Sequence, residues 1–235
     1  MRMTVFGASG LAGSALVELA VREGHTVRSF VRPSTAAPPA LARCEVVRGD
    51  ALDPDAVACA IAGADVVVST LGGFRGPASM AVGTANIVAA MQRDGPARLV
   101  VLQGFHIDFP GDPNNAGRSV MRALLALRCR PLLGHSAALG DLLRGTDDLA
   151  WTLVRVPRIV KGPASGRGQT GRFALGPTSS VRLGDVAATL LELTDNSAHV
   201  HAAPMLITTR RFRPQSPTRS ARGPHADATG EVPTA

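Results

Sequence analysis

The chain has no tyrosine, a single lysine (Lys161), one tryptophan and only 3% aromatic residues in 235. Each shortage removes a class of function. A tyrosine whose pKa is lowered by a lysine four residues on cannot pass a proton here, and Pro157 stands four residues before Lys161. Outside the last 26 residues there is no Lys/Arg block and no aromatic interleaving of the kind a single-strand binder needs, so no nucleic-acid partner is expected. The formal charge of +7 does not change this: residues 210–235 hold five arginines against Asp227 and Glu231. No run of 18 apolar residues exists, so no span and no membrane partner are expected. The cysteines Cys44, Cys59 and Cys129 are odd in number and in no metal spacing. They are read as reduced thiols of a cytoplasmic protein, with no metal site. The N-terminus carries a strand and a ligand loop rather than a signal peptide.

What is present begins with three glycines. Residues 7–13 read Gly7-Ala8-Ser9-Gly10-Leu11-Ala12-Gly13. Met3, Val5 and Phe6 before them suit a buried strand, and Leu11, Ala15, Leu16 and Leu19 fall at helical spacing. The glycines therefore sit on a strand-to-helix turn. Gly7 can take a backbone angle that a side chain forbids. Gly10 lets the main chain approach a ligand, and Gly13 lets the helix lie close to the sheet. The free N–H groups of the helix start then face an anion, with the macrodipole behind them. This is a dinucleotide-binding turn in G-x-x-G-x-x-G spacing.

Further along, strand and helix patterns alternate. Strands are expected at 26–31, 45–48, 65–70, 97–103, 150–156 and 205–208, with short strands at 171–174 and 179–181. Helices are expected from Asp53-Pro54 to about 62, and at 79–93, 118–128, 134–145 and 183–193. Residues 157–170 are expected to be loop. Such order predicts an α/β fold: a doubly wound parallel sheet, NAD(P)-binding and Rossmann-like. It is a single domain over 1–209 with a small substrate-side cap from about 105–145 and 157–182. The tail 210–235 has few apolar residues and is expected to be disordered and basic.

An arginine at the end of strand two suits the 2′-phosphate of NADP, where an acid would suit the ribose of NAD. Arg32 stands there, with Arg28 on the same side by strand alternation. NADP is expected and NAD less so. Asp50 could bond an adenine amino group or stabilise a turn.

The set GASGLAG, FVRP, VVRGDALDPDAV, AGADVVVSTLGG, NIVAAM, RLVVLQG, AWTLVRVPRI and LGDVAATLLEL, in that order, resembles the atypical short-chain dehydrogenase/reductase family. The likeness is nearest to NAD(P)H-binding proteins similar to biliverdin reductase B (flavin reductase) and NmrA. It covers roughly residues 1–208. The resemblance implies an NADP cofactor and a small-molecule substrate. It also implies that residues 7–13 hold the pyrophosphate and Arg32 the 2′-phosphate. Asp50 and Ala51 would edge the adenine, and Thr70, Leu71 and Gly72 would line the ribose and nicotinamide side. Gln103 stands where members often carry Ser or Thr after strand five. Arg155-Val156-Pro157 resembles the family's Arg-Pro-Pro turn, which closes over the nicotinamide.

Two histidines are candidate acids. His106 follows strand five on the carboxyl side, and His135 begins a helix in the substrate wall. The leading function is an NADP-dependent oxidoreductase passing hydride to a flavin, quinone or similar acceptor, since such acceptors can draw the proton from solvent. A non-catalytic NAD(P)-binding redox sensor of NmrA-like type is the alternative. The missing tyrosine counts against a third reading, a nucleotide-sugar epimerase. Monomer and homodimer both remain open.

Overall fold

The structure is a computed structural model that describes residues 1–72, 77–113, 116–176 and 178–209, with the side chains of 77 and 78 left aside. The expected disordered tail lies outside the described residues. The elements in chain order are β1 (Arg2–Phe6), α1 (Leu11–Arg22), β2 (Thr26–Val31), a 3-10 turn (Pro39–Leu41), β3 (Glu45–Arg48), α2 (Pro54–Ile61), β4 (Val66–Ser69), α3 (Pro77–Asp94) and β5 (Arg98–Gly104). Then come α4 (Ala116–Arg128), α5 (Arg130–Arg144), β6 (Ala150–Val156), β7 (Arg158–Val160), β8 (Gly168–Gly171), β9 (Ser180–Arg182), α6 (Leu183–Asp195) and β10 (Met205–Thr208). The main sheet runs β3-β2-β1-β4-β5-β6-β10-β8. Its pairs are parallel except β10 with β8.

Strands in such a sheet are buried on both faces and read as continuous apolar runs. Successive side chains still alternate between two cores. Val5, Val68, Val100 and Val154 pack on one face with Leu16 of α1 and Leu190 of α6. Phe6, Val67, Leu99 and Leu153 pack on the other with Val57 of α2, Ile87 of α3 and Leu139 of α5. This doubly wound sheet is the expected fold. Polar groups satisfy the helix ends. The Asp53 carboxylate caps α2 by accepting from the N–H groups of Asp55 (3.0 Å) and Ala56 (3.4 Å). Arg98 at the start of β5 donates to the Leu193 carbonyl of α6 through Nε (3.0 Å) and Nη2 (2.6 Å).

Three details depart from expectation. The stretch expected as loop contains β7, which pairs with β9 in a small parallel ribbon, and the start of β8. The strand expected at 171–174 lies instead at Gly168–Gly171. Its sequence Gly-Gln-Thr-Gly has little intrinsic strand preference, and pairing with β10 decides its conformation. Finally, α5 is not part of a cap: Leu132, Leu139 and Leu143 lie in the core with Trp151.

Candidate functional site

The glycine turn is built by its own contacts and by β4. Gly7 has φ +75°, the left-handed region that side chains resist. A Cβ on Gly7 would stand 2.7 Å from the Thr70 hydroxyl oxygen. That hydroxyl donates to the carbonyls of Phe6 (3.0 Å) and Gly7 (3.2 Å). The Gly10 N–H donates to the Gly7 carbonyl at 2.9 Å, closing the loop. A Cβ on Gly13 would lie 2.3 Å from the Gly7 oxygen and 2.8 Å from the Thr70 hydroxyl. The close approach expected at Gly13 is therefore between helix, turn and β4. Gly10 differs. A Cβ there would meet only the Gly7 oxygen, at 3.2 Å, so its outer side is open.

The start of α1 has no side-chain cap and no acid in its first turn. Its first N–H groups and its dipole are left to an external acceptor. They face a cleft lined by Gly7, Ser9, Gly10, Arg32, Asp50, Ala51, Thr70, Leu71 and Gly72, all expected there, together with Phe30, Val31 and Ser79. Of the rest of the turn, Ala8 and Ala12 are buried behind it and Leu11 is half exposed. Phe30 and Val31 end β2 beside the turn, so the rule that ligands bind beyond the carboxyl ends of strands could have named them. Ser79 lies in the first turn of α3 and gave no local signal.

Arg32 is exposed at the rim and makes no side-chain hydrogen bond or ion pair with the described residues. The loop after it is pinned by Arg48, whose Nη1 donates to the carbonyls of Pro33 (3.2 Å) and Thr35 (3.0 Å). Arg28 does not join Arg32. Its Nε pairs with Glu45 at 2.9 Å, and its Nη1 donates to the carbonyls of Ala60 (3.0 Å) and Ala62 (2.8 Å). The carboxyl end of α2 and β3 compete for this guanidinium and win it. Asp50 stabilises its turn, since Oδ1 accepts from the Leu52 N–H at 3.0 Å. The Ala51 carbonyl is tied to α3 by the Asn86 amide at 2.9 Å. These residues fit a dinucleotide: open main chain and an uncapped helix for a pyrophosphate, and a free guanidinium for a further phosphate.

The other side of the cleft departs more. Gln103 is 5% exposed and its Nε2 donates to the Leu71 carbonyl at 2.6 Å. It fixes the edge formed by Leu71 and Gly72 rather than lining the cleft. Pro157 is buried at the end of β6 and outside the cleft lining. Arg155 just before it is turned inward and 1% exposed. Its Nε donates to the Ala203 carbonyl (2.9 Å), its Nη1 to that of Ile107 (2.8 Å), and both Nη atoms to the Asp112 carboxylate. Arg118 also meets Asp112, at 3.1 Å. Burial alone would raise the Asp112 carboxyl. Hydrogen bonds from Arg155 and the Phe109 N–H, and the charges of Arg155 and Arg118, outweigh it and hold that carboxyl below the usual range.

His106 sits beyond β5, its ring against Gly104, with Nε2 buried and unpartnered among the described residues. Burial, and then the positive charge of Arg122, lower its pKa to about 4. The expected acid is therefore a neutral imidazole at pH 7, because its ring is buried beside a cation. His135 is half-buried on α5 and outside the cleft lining. The neighbouring Ser136 hydroxyl is buried and donates to the Leu132 carbonyl of its own helix at 2.7 Å.

Residues 7–197 match the model of a family described as NAD(P)H-binding. Among curated proteins, a 3β-hydroxysteroid dehydrogenase/Δ5→4-isomerase of Mycobacterium tuberculosis is 35% identical over 113 residues, covering 42% of this chain and 30% of that protein. The chain thus spans about a third of the length of the curated relatives it matches. An anaerobillin reductase from Escherichia coli O157:H7 superimposes with TM-score 0.70 at 24% identity, covering 92% of this chain and 100% of the other. A protein assigned as an NADH-flavin reductase from Streptococcus pneumoniae gives TM-score 0.66 at 22% identity, covering 89% and 100%. At these identities the two structures share the fold.

Proposed function

The chain belongs to the NAD(P)H-binding family, and from that premise we propose that it is an NADP-dependent oxidoreductase passing hydride to a flat, conjugated acceptor such as a flavin or quinone. One observation carries the reading: an uncapped helix start opens into a cleft whose rim bears a guanidinium without a side-chain partner among the described residues. The reduced nicotinamide, when bound, supplies the hydride. The protein supplies position and charge. Residues 7–13 would hold the pyrophosphate through main-chain N–H groups, and Arg32 would hold the 2′-phosphate. Asp50 and Ala51 edge the adenine. Thr70, Leu71 and Gly72 line the ribose and nicotinamide side, and Gln103 holds Leu71 in place. His106 and His135 both lie outside the cleft lining and are the candidates to meet the acceptor at its edge, His106 as a neutral group. No tyrosine is available for proton transfer, so solvent protonates the reduced acceptor. The two reductases of the same fold support the choice of acceptor class.

A second reading rests on the same acceptor side. Gln103 is committed to Leu71, Ser136 to its own helix, and His106 is neutral. A nucleotide sensor acting through a partner protein needs no more than this. Mixing the protein with NADPH and a panel of flavins and quinones separates the two. Loss of nicotinamide absorbance is expected. Tight NADPH binding without turnover on any acceptor would transfer the case to the sensor.

A further inference from the structure

Helix α4 is built inside out. Its one fully buried residue is Arg118, whose Nη2 donates to the carbonyls of Phe105 (3.2 Å) and Ile107 (3.0 Å) and meets Asp108 at 2.9 Å and Asp112 at 3.1 Å. Arg122, one turn on, pairs with Asp108. The cations thus anchor the helix inward. Leu125 packs against the core, but three apolar residues face out: Val120 is 56% exposed, Leu124 60% and Leu127 83%. Their spacing of four and three puts them on one stripe of the helix. Arg128 and Arg130 beside the stripe are exposed and make no side-chain hydrogen bond or ion pair with the described residues. From Pro113 to Gly140 the sequence holds no Asp or Glu.

Charge selects the occupant. A second copy would bring the same arginines against these, with no carboxylate on the face to meet them. A stable dimer also needs about 20–30 residues a side, and this stripe has three large ones. The chain's own segment 210–235 carries five arginines and a single aromatic, Phe212, so it has the wrong sign. An anionic lipid surface matches both features. Acyl chains take the leucines, and headgroup phosphates take the arginines. We propose that α4 is a membrane-surface contact that lays Val120, Leu124 and Leu127 into an anionic bilayer between Arg128, Arg130 and the lipid phosphates. The absence of a spanning segment bears on spanning alone, because a helix that lies in the interface needs only one apolar face.

The test is flotation of the full chain with two kinds of vesicle: phosphatidylcholine alone, and phosphatidylcholine with phosphatidylglycerol in equal parts. Flotation is expected only with the second kind, and is expected to weaken at high salt. The double variant Leu124→Asp/Leu127→Asp is expected to lose it at least tenfold. Arg128→Ser/Arg130→Ser should lose it severalfold. Both should keep the thermal midpoint and NADPH affinity of the parent, since all four side chains are exposed. No flotation of the parent with anionic vesicles overturns the proposal. So does equal flotation of the leucine variant, which would assign the binding to the basic tail. A dimer seen by sedimentation without vesicles, and dispersed by Leu124→Asp/Leu127→Asp, would give the stripe to a second copy instead.

Discussion

Two strands of the sheet, β2 and β6, bring an arginine to their carboxyl ends, and the two side chains have opposite fates. Arg32, just past β2, stands exposed over the cleft with no side-chain partner among the described residues. Arg155, at the end of β6, is 1% exposed and bonded to Asp112 and to the carbonyls of Ile107 and Ala203. A free guanidinium at a cleft is available to a ligand phosphate. One that already satisfies two backbone carbonyls and a carboxylate is structural. Residue type and position at a strand end do not distinguish the two. The partner inventory does.

The sharpest way to break this contrast is to unpair the buried side. Asp112→Ala leaves Arg155 and Arg118 without their shared carboxylate. Removing one partner of a buried ion pair costs about 3–5 kcal/mol, and a loss of that size is expected in denaturant melts. NADPH affinity measured on the folded fraction should stay near that of the parent. The parent's own stability should depend on acid through the same group. Because the Asp112 carboxyl is held below its ordinary value in the folded state, its contribution is present above about pH 4 and is lost as pH falls further. Asp112→Asn should flatten that part of the acid melt.

The next effect lies in the turn. A Cβ on Gly13 would collide with the Gly7 carbonyl and the Thr70 hydroxyl. Gly13→Ala is expected to cost about 1–3 kcal/mol of stability, the range for overpacking. It should also weaken NADPH and NADH together by a hundredfold or more in calorimetry. Arg32→Ala touches neither the turn nor the core. It should weaken NADPH about 10–100-fold, the scale of a charge-assisted phosphate contact, and leave NADH nearly unchanged. Equal losses for both coenzymes would remove the basis for choosing NADP.

These sites also show what could be read from sequence. The turn was legible because its pattern is local, a strand, three glycines and a helix in one stretch, although the Thr70 hydroxyl that braces it comes from β4. β2, β6 and β10 were legible to the residue because buried parallel strands are short apolar runs between turn formers, and the edge strand β3 because its valine pair stands just before Gly49-Asp50. The knot around Asp112 was not, since it joins residues 43 positions apart in the chain through a loop with no pattern. Arg28 was misplaced for the same reason: its partners Ala60 and Ala62 are 32 and 34 residues away. The burial of Arg118 in α4 was hidden too, because a hydrophobic stripe shows that a helix has two faces without saying which one faces in.

Gly10 separates binding from folding more cleanly than Gly13. A methyl group there meets one atom at 3.2 Å in the free protein, so Gly10→Ala should leave the thermal midpoint almost unchanged. It would stand where a pyrophosphate must approach the main chain. A loss of about tenfold, near 1.4 kcal/mol, is expected for both coenzymes. Unchanged affinity would mean that the anion does not sit on this helix.

The smallest expected effect tests the acceptor side. If His106 served as an imidazolium acid, turnover would fall as pH rises through the usual histidine range near 6.5. Burial and Arg122 place its pKa at about 4, so the ring is neutral throughout the range from weakly acidic to weakly alkaline. Turnover with a flavin or quinone should therefore be flat across that range, and His106→Asn should lower it only severalfold, leaving the profile's shape intact. Folding carries the matching signature. A histidine kept neutral in the native state has its contribution intact above about pH 6.5 and loses it as pH falls toward 4, so the asparagine variant should lose less stability than the parent over that interval. An inflection in turnover near 6.5 that vanishes in His106→Asn would restore this residue as a proton donor.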